Sequence, residues 1–244
     1  MSGHSKWSTI KRKKEATDQK RAGIFTKIGR EIAVAVREGG ADPGANSKLR
    51  DLIAKAKTNN VPNDNIDRVI KKSLGDGDKN SYEEITYEGY GPCGIAVMVQ
   101  ALTDNRNRTA GDLRHYFDKC GGNLGQNGSV SFLFEQKGII VIENINIKEE
   151  KIFEDALLDG VLDIAYSSEA IEIATEPSLF RPVRDALELL GYSFASAEVE
   201  FVPNTITKIE DADMVSKMHK LLDMLEDNDD VQQVYHNWDM PEDE

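Results

Sequence analysis

Residues 138–143 read GIIVIE, and this stretch begins a series of six segments in which strand-like and helix-like patterns alternate. The later segments, which end at residue 202, are KEEKIFEDALLD, LDIAYS, AIEIAT, LFRPVRDALELL and SAEVEFV. Short runs rich in β-branched residues favour strands, and apolar residues at three- and four-residue steps favour helices. The resulting order, β-α-β-β-α-β, is that of a ferredoxin-like domain. Residues 133–203 are therefore predicted to fold as a complete domain.

The segments on either side of this domain are incomplete when taken separately. EEITYE and IAVMVQAL flank GYGPCG and predict a hairpin, which the helix RTAGDLRHYFDK and the strand SVSFLF follow. A helix, ADMVSKMHKLLDMLED, and a strand, VQQVYHNW, remain near the end of the chain. We predict that they complete a middle domain formed by residues 82–132 plus 204–244. The ferredoxin-like domain would then be an insertion in this middle domain.

Residues 1–75 have a helical period throughout. The first helix should end at Gly39-Gly40, Asn46 or Ser47 can cap a second, and Asn63 can cap a third after Val61-Pro62. The apolar stripe of the first helix contains Ala22, Phe25, Ile28, Ile32 and Val36. GDGDKNS at 75–81 is typical of a flexible linker. The predicted fold class is α+β, with an N-terminal three-helix domain followed by two α/β domains, the third ferredoxin-like and inserted in the second.

Charge is divided unevenly along the 244 residues, whose formal net charge is −13. Residues 1–75 contain 17 Lys and Arg against 8 Asp and Glu, and the remainder contains 13 against 35. A basic module joined to an acidic body indicates a polyanionic partner for the basic module. Nucleic acid is the partner that we predict, and the acidic body is free to contact a protein.

The cysteines and the apolar stretches indicate the cellular compartment of the protein. Cys93 and Cys120 form no CxxC pair and no zinc spacing, which favours a reducing cytosol and a cytoplasmic protein. The longest apolar stretch, GIAVMV at 94–99, is too short to span a membrane. The basic start has no apolar core of a secretory signal, so we expect no membrane partner.

Two stretches contain the candidate nucleic-acid-binding residues. In GHSKWS and the following KRKK, the cations attract phosphates, and Trp7 either stacks on an unpaired base or packs on the helical bundle. In TDNRNRT at 103–109, predicted as an exposed loop, the polar residues either cap the next helix or contact phosphates and base edges. The candidates are Lys6, Trp7, Lys11, Arg12, Lys13, Lys14, Lys20, Arg21, Lys27, Arg30, Arg106 and Arg108.

No motif predicts a catalytic, metal or cofactor site. Gly89, Gly91 and Gly94 satisfy GxGxxG, but a strand rather than a helix follows them. GGNLGQNGS lacks the GK[ST] of a phosphate-binding loop. His115 lies near only Asp112 and Asp118, whereas metal sites normally need three or four suitably spaced ligands. We therefore interpret the protein as non-enzymatic.

The sequence also resembles the YebC family over nearly its whole length. The resemblance is carried by GHSKWSTIK, KRAGIFTKIGREI, the GG-x-DP-x-AN run, VPNDNIDRVI, YEGYGPCGIAV, TDNRNRT and GGNLGQNGSVSF. Cys93 replaces a glycine of the usual GPGG, and Cys120 stands where other members often have histidine. The resemblance implies a cytoplasmic protein with a helical domain and two α/β domains. It also implies either a DNA-binding transcriptional regulator or, as in the mitochondrial translational activators, a factor that relieves ribosome stalling.

The residues leave both functions open. For transcription, the third helix follows a tight NNVP turn, so Asn63, Asn65 and Arg68 could face bases as in a helix-turn-helix. Asp64 and Asp67 lie in the same first turn, where they would repel phosphates. A translation factor on the ribosome needs only a basic domain capable of stacking and α/β domains that face protein. The sequence thus predicts a nucleic-acid-binding regulator of gene expression, with DNA or ribosomal RNA as its partner.

Overall fold

The computed structural model describes residues 6, 7, 10, 11, 18–74 and 82–240, which form two compact units. One, which we call the bundle–sheet unit, contains residues 18–74, 82–133 and 205–238. The other, the inserted unit, contains residues 134–204 and the described residues at the two ends of the chain. The predicted linker at 75–81 lies outside the described residues. The boundaries drawn from the sequence for three domains stay a prediction.

The helices and strands are numbered here in chain order. The helices are α1 Asp18–Gly39, α2 Ser47–Thr58, α3 Asn63–Leu74, α4 Arg106–Lys119, α5 Glu149–Asp155, α6 Phe180–Leu189 and α7 Ala212–Asp227. The strands are β1 Glu83–Tyr90, β2 Ala96–Thr103, β3 Asn123–Leu124, β4 Phe134–Glu143, β5 Val161–Tyr166, β6 Ala170–Thr175, β7 Ser196–Pro203 and β8 Val231–His236.

Helices α1, α2 and α3 pack into the predicted bundle. Ile32 of α1, Leu49 of α2 and Ile66 of α3 lie in one buried cluster. Asn46 caps α2, because its side chain accepts a hydrogen bond from the Leu49 N–H at 3.0 Å. Its amide also donates to the Ala35 carbonyl at 2.7 Å, so this one buried residue fixes both the start of α2 and its position against α1. The predicted cap is confirmed.

Strands β1, β2, β3 and β8 form one antiparallel sheet in the order β3-β1-β2-β8. In its register Met98 of β2 lies opposite Tyr235 of β8. Leu113 and Phe117 of α4, with Leu221 and Leu225 of α7, are fully buried in this unit. The chain therefore returns after residue 204 to complete a sheet that it began at residue 83. The predicted insertion is confirmed.

The prediction of a strand at SVSFLF is wrong. Residues Ser131–Leu133 form a 3-10 turn, and β4 starts only at Phe134. The backbone N–H groups of Gly128, Val130 and Ser131 donate to the Glu88 carboxylate at 2.7–2.8 Å instead of to a neighbouring strand. Burial raises the pKa of Glu88, but these hydrogen bonds outweigh it, and the pKa is lowered overall. A buried, charged acceptor thus holds this loop in place of a sheet ladder.

The inserted unit has the predicted ferredoxin-like topology. Its four strands are antiparallel in the order β5-β6-β4-β7, and α5 and α6 pack on the inner face of the sheet. Side chains alternate between the faces of a strand. Ile140 and Ile171 therefore point into the core with the helices, whereas Val141 and Ala170 belong to a separate cluster on the outer face.

Candidate nucleic-acid interface

The described part of the N-terminal segment, residues 6, 7, 10 and 11, is helical and packs on the outer face of the inserted sheet. Trp7 is only 8% exposed and lies in one cluster with Ile10, Val141 and Ala170. In this structure Trp7 is therefore neither exposed, as base stacking needs, nor packed on the bundle. The physical reason is the apolar strip on the outer face, which loses contact with water when the segment covers it. The predicted stacking of Trp7 on a base stays a prediction.

Polar contacts fix this segment to the same face. The Trp7 backbone N–H donates to Glu172 Oε1 at 3.1 Å, and its indole Nε1–H donates to Glu169 Oε2 at 2.9 Å. Lys6 forms an ion pair with Glu200, and Lys11 Nζ lies 3.2 Å from Glu169 Oε1. Two of the predicted phosphate-binding cations are thus paired with carboxylates of the acidic part of the chain.

Glu172 has an unusual environment below this segment. Burial raises its pKa to about 7, although the Trp7 backbone N–H and the charge of Lys6 both lower it. The neighbouring Glu200 carboxylate adds repulsion and raises it further. A side chain with this pKa changes its charge close to neutral pH, so the strength with which this face holds the segment depends on pH.

Two further candidates, Lys27 and Arg30, lie on α1 and point to the C-terminal part of the bundle–sheet unit. Lys27 Nζ donates to the Glu226 carbonyl. Arg30 Nη1 donates to Asp230 Oδ1 and to the Asp229 carbonyl, each at 2.7 Å. These two cations therefore fix α1 to the body of the unit, and neither is an open phosphate contact here. Their predicted contacts with nucleic acid stay a prediction.

Arg106 and Arg108 do not lie in the predicted exposed loop. They lie in the first turn of α4, which Asn105 caps by accepting a hydrogen bond from the Arg108 N–H at 3.1 Å. Arg106 is exposed. Arg108 Nη2 lies 2.7 Å from Asp230 Oδ2 and 2.9 Å from Asp104 Oδ1. The side chain of Arg108 is thus held by carboxylates, and the predicted contacts of both residues with nucleic acid stay a prediction.

Asp230 is the centre of this network and is only 4% exposed. Its carboxylate accepts hydrogen bonds from Arg30, Arg108 and the hydroxyl of Thr109, the last at 2.8 Å. Burial raises the pKa of Asp230, but these hydrogen bonds outweigh burial and lower the pKa overall. The network joins α1, α4 and the start of β8.

The other candidates cannot be placed. Arg12, Lys13 and Lys14 lie outside the described residues, and only the backbone of Lys20 and Arg21 is described, as part of α1. Their predicted contacts with phosphates stay a prediction.

The structure also exposes cations on α2 and α3, outside the two candidate stretches. Arg50 and Lys57 lie two turns apart on α2, and Arg68, Lys71 and Lys72 follow three- and four-residue steps on α3. Such spacings place side chains on one side of a helix. Arg68 was already noted in the sequence, and the helical period that revealed the apolar stripes would also have found Arg50, Lys57, Lys71 and Lys72.

Within the described ranges, no group of three or more His, Cys, Asp and Glu side chains is arranged to hold a metal ion. None of the helices in the same ranges is long and apolar enough to cross a membrane. Cys93 is exposed and Cys120 is buried, and both are free thiols.

The architecture is α+β. It consists of the helical bundle, the sheet of the bundle–sheet unit and the inserted ferredoxin-like unit, and its basic residues are concentrated at one end of the chain. The chain belongs to the TACO1/YebC family. Residues 5–76 match the N-terminal domain of the family, and residues 82–238 match its second and third domains.

The match to relatives extends over nearly the whole chain. A probable transcriptional regulatory protein of Ruminiclostridium cellulolyticum is 57% identical over 99% of this chain and 98% of its own. A protein of the same name from Finegoldia magna is 56% identical over 98% of this chain and 99% of its own. The crystal structure of a conserved hypothetical protein from Aquifex aeolicus superposes with a TM-score of 0.83 at 44% identity, and the match covers 93% of each chain.

Proposed function

We propose that this protein is a non-enzymatic, cytoplasmic regulator of gene expression that binds nucleic acid through residues 1–75. The observation that carries the proposal is the division of charge, since these residues contain 17 Lys and Arg against 8 Asp and Glu in a chain of net charge −13. Arg50, Lys57, Arg68, Lys71 and Lys72 present part of this excess to solvent. The name of the relatives, probable transcriptional regulatory protein, supports a regulatory role with DNA as the ligand.

A second candidate, binding to ribosomal RNA on the ribosome, is favoured by one observation on α3. Asp64 and Asp67 are exposed at the start of this helix. A recognition helix normally places the residues of its N-terminal end against base edges between two phosphate backbones, where carboxylates are repelled. Backbone binding through the cations of residues 1–75 does not require the start of α3 to enter a groove, so these carboxylates do not oppose it. In that case the acidic body is available for a protein partner.

Replacing Lys11, Arg12, Lys13 and Lys14 with Ala tests the proposal through salt dependence. Each neutralised phosphate releases counterions, so the slope of log affinity against log salt falls by about 0.7 per lost contact on a single strand and about 0.9 on a duplex. Loss of four contacts should make the slope shallower by roughly 3. Fluorescence anisotropy with labelled poly(U) RNA and with a short duplex DNA measures both slopes and the preference between the two ligands.

A matched control removes the same charge elsewhere. Four exposed lysines lie outside residues 1–75, namely Lys119, Lys148, Lys217 and Lys220. Their replacement by Ala should leave both slopes equal, within experimental error, to those of the unmodified protein. Equal changes in the two variants would show that only net charge matters. Unchanged slopes in both variants, with the helical content of each intact, would contradict nucleic-acid binding by this segment.

A further inference from the structure

The outer face of the inserted sheet combines an apolar strip with carboxylates. Ile139 and Val141 of β4 and Ala170 and Ala174 of β6 form the strip. The carboxylates are Glu169, Glu172 and Glu200. In the structure Trp7 and Ile10 cover the strip, and Lys6 and Lys11 approach the carboxylates. This face therefore matches a short basic helix with apolar residues three positions apart.

The same side chains are the ones that a nucleic acid would use. A base needs an open face of the Trp7 ring, but this residue is 8% exposed. The Lys6 side chain is 21% exposed and already paired with Glu200. An ammonium group that is paired with a carboxylate must leave it before it can neutralise a phosphate in its place. Docking on the sheet and binding of nucleic acid by these residues are consequently mutually exclusive.

We propose that the acidic outer face of the inserted sheet is an internal competitor, which competes with nucleic acid for the N-terminal segment. This face holds Lys6, Trp7, Ile10 and Lys11 until a polyanion takes its place. This inference rests on the nucleic-acid binding proposed above and adds its regulation. The apparent affinity of a protein equals the affinity of its binding-competent state multiplied by the fraction of molecules in that state. The undocked segment is therefore the tight-binding form, and the docked segment lowers the apparent affinity.

Neutralising the two carboxylates that pair with lysine should release the segment. Glu169→Gln with Glu200→Gln removes both negative charges and keeps the side-chain size. If the segment is docked in nine molecules of ten, release raises the affinity for poly(U) RNA about tenfold. The exposed Glu149 and Glu188 of the same unit provide the control, because their replacement by Gln changes net charge equally and should alter affinity less than about twofold.

Docking itself can be measured without nucleic acid. In protein labelled with 5-fluorotryptophan, the fluorine resonance of Trp7 is assigned by its absence in Trp7→Phe. We expect this resonance to report a solvent-exposed Trp7 ring in the Glu169→Gln, Glu200→Gln variant and a buried ring in the control. A buried Trp7 in the release variant would overturn the claim that these carboxylates hold the segment.

Replacing Glu172 should change docking and RNA affinity in the opposite direction to the release variant. The charged groups that act on it are Lys6 of the segment and Glu200 of β7, and the Trp7 backbone N–H donates to it. Its pKa in the docked state, about 7, lies above the ordinary value of 4.5, so its contribution to docking is full below about 4.5 and is lost as pH rises through 7. Glu172→Gln should therefore strengthen docking and weaken RNA binding at pH 8, and this effect should shrink as pH falls toward 4.5.

The outcomes separate the competitor from the proposed function. If Trp7 becomes exposed in the release variant while RNA affinity is unchanged, the competitor is contradicted, and the salt slope of the Lys11–Lys14 variant still reports on nucleic-acid binding. If neither the unmodified protein nor the release variant binds RNA or DNA, both inferences fail together. Tighter binding by the release variant, weaker binding by Glu172→Gln at pH 8 and an inert control support the competitor.

Discussion

Removal of residues 205–244 is expected to unfold residues 82–132 while residues 134–203 stay folded. The deletion takes away β8, which is hydrogen-bonded to β2, and all of α7. Met218, Leu221, Leu222 and Leu225 of α7 are at most 1% exposed. Burying each such side chain contributes about 1.5–3 kcal/mol, so the four together approach the whole stability of a domain, about 5–15 kcal/mol.

Hydrogen exchange followed by mass spectrometry measures this result peptide by peptide. We expect amides of β1 and β2 to lose protection in the truncated chain, and amides of β4 and β6 to keep it. Two full-length variants serve as a milder comparison. Leu222→Ala should lower the free energy of unfolding by about 2–5 kcal/mol, because Leu222 is buried. Lys217→Ala, at an exposed position, should change it by less than about 0.5 kcal/mol. Protected β1 and β2 amides in the truncated chain would contradict the role of the C-terminal elements.

Asp230→Asn is expected to lower the free energy of unfolding by about 3 kcal/mol at pH 7. The change keeps the size of the side chain but removes the charge to which Arg30 and Arg108 donate. Removing one partner of a buried ion pair costs about 3–5 kcal/mol, and the lower figure applies because the Arg108 side chain is 46% exposed. Urea unfolding of both proteins measures the difference.

The pH dependence of this difference has a definite sign. The folded-state pKa of Asp230 is lowered, so its contribution is present above the unfolded value near 3.8 and is lost as pH falls through the folded value. The two proteins should therefore become more alike in stability at acid pH. Arg106→Ala is the control, because this exposed neighbour should change stability by no more than about 0.5 kcal/mol. Equal stability of Asp230→Asn and the unmodified protein at pH 7 would contradict a structural role for the network.

Most of the fold followed from local patterns. The helical period of α1, the cap at Asn46 and the β-α-β-β-α-β order are each contained within a few tens of residues. The insertion followed from topology, because one strand and one helix remained after the ferredoxin-like unit was complete. The failed strand at SVSFLF shows the limit. Its amides bind Glu88, about 40 residues earlier, and no local pattern indicates that partner.

The candidate site was harder to predict for the same reason. A basic side chain has the same local sequence whether it is solvated, binds phosphate or pairs with a distant carboxylate. Arg108 pairs with Asp230, 122 residues away, and the partners of Trp7 lie more than 160 residues away. The division of charge located the basic and acidic parts correctly, but it did not show that the acidic part supplies partners for the basic one.

Cross-linking of the full-length protein to nucleic acid tests the central claim most directly. Protein bound to poly(U) RNA containing 4-thiouridine, or to duplex DNA containing 4-thiothymidine, is irradiated, digested and analysed by mass spectrometry to locate the attached nucleotides. We expect the attachment sites within residues 1–75, at the basic N-terminal segment and on the exposed sides of α2 and α3. Attachment confined to residues 82–240 would contradict nucleic-acid binding by the helical region.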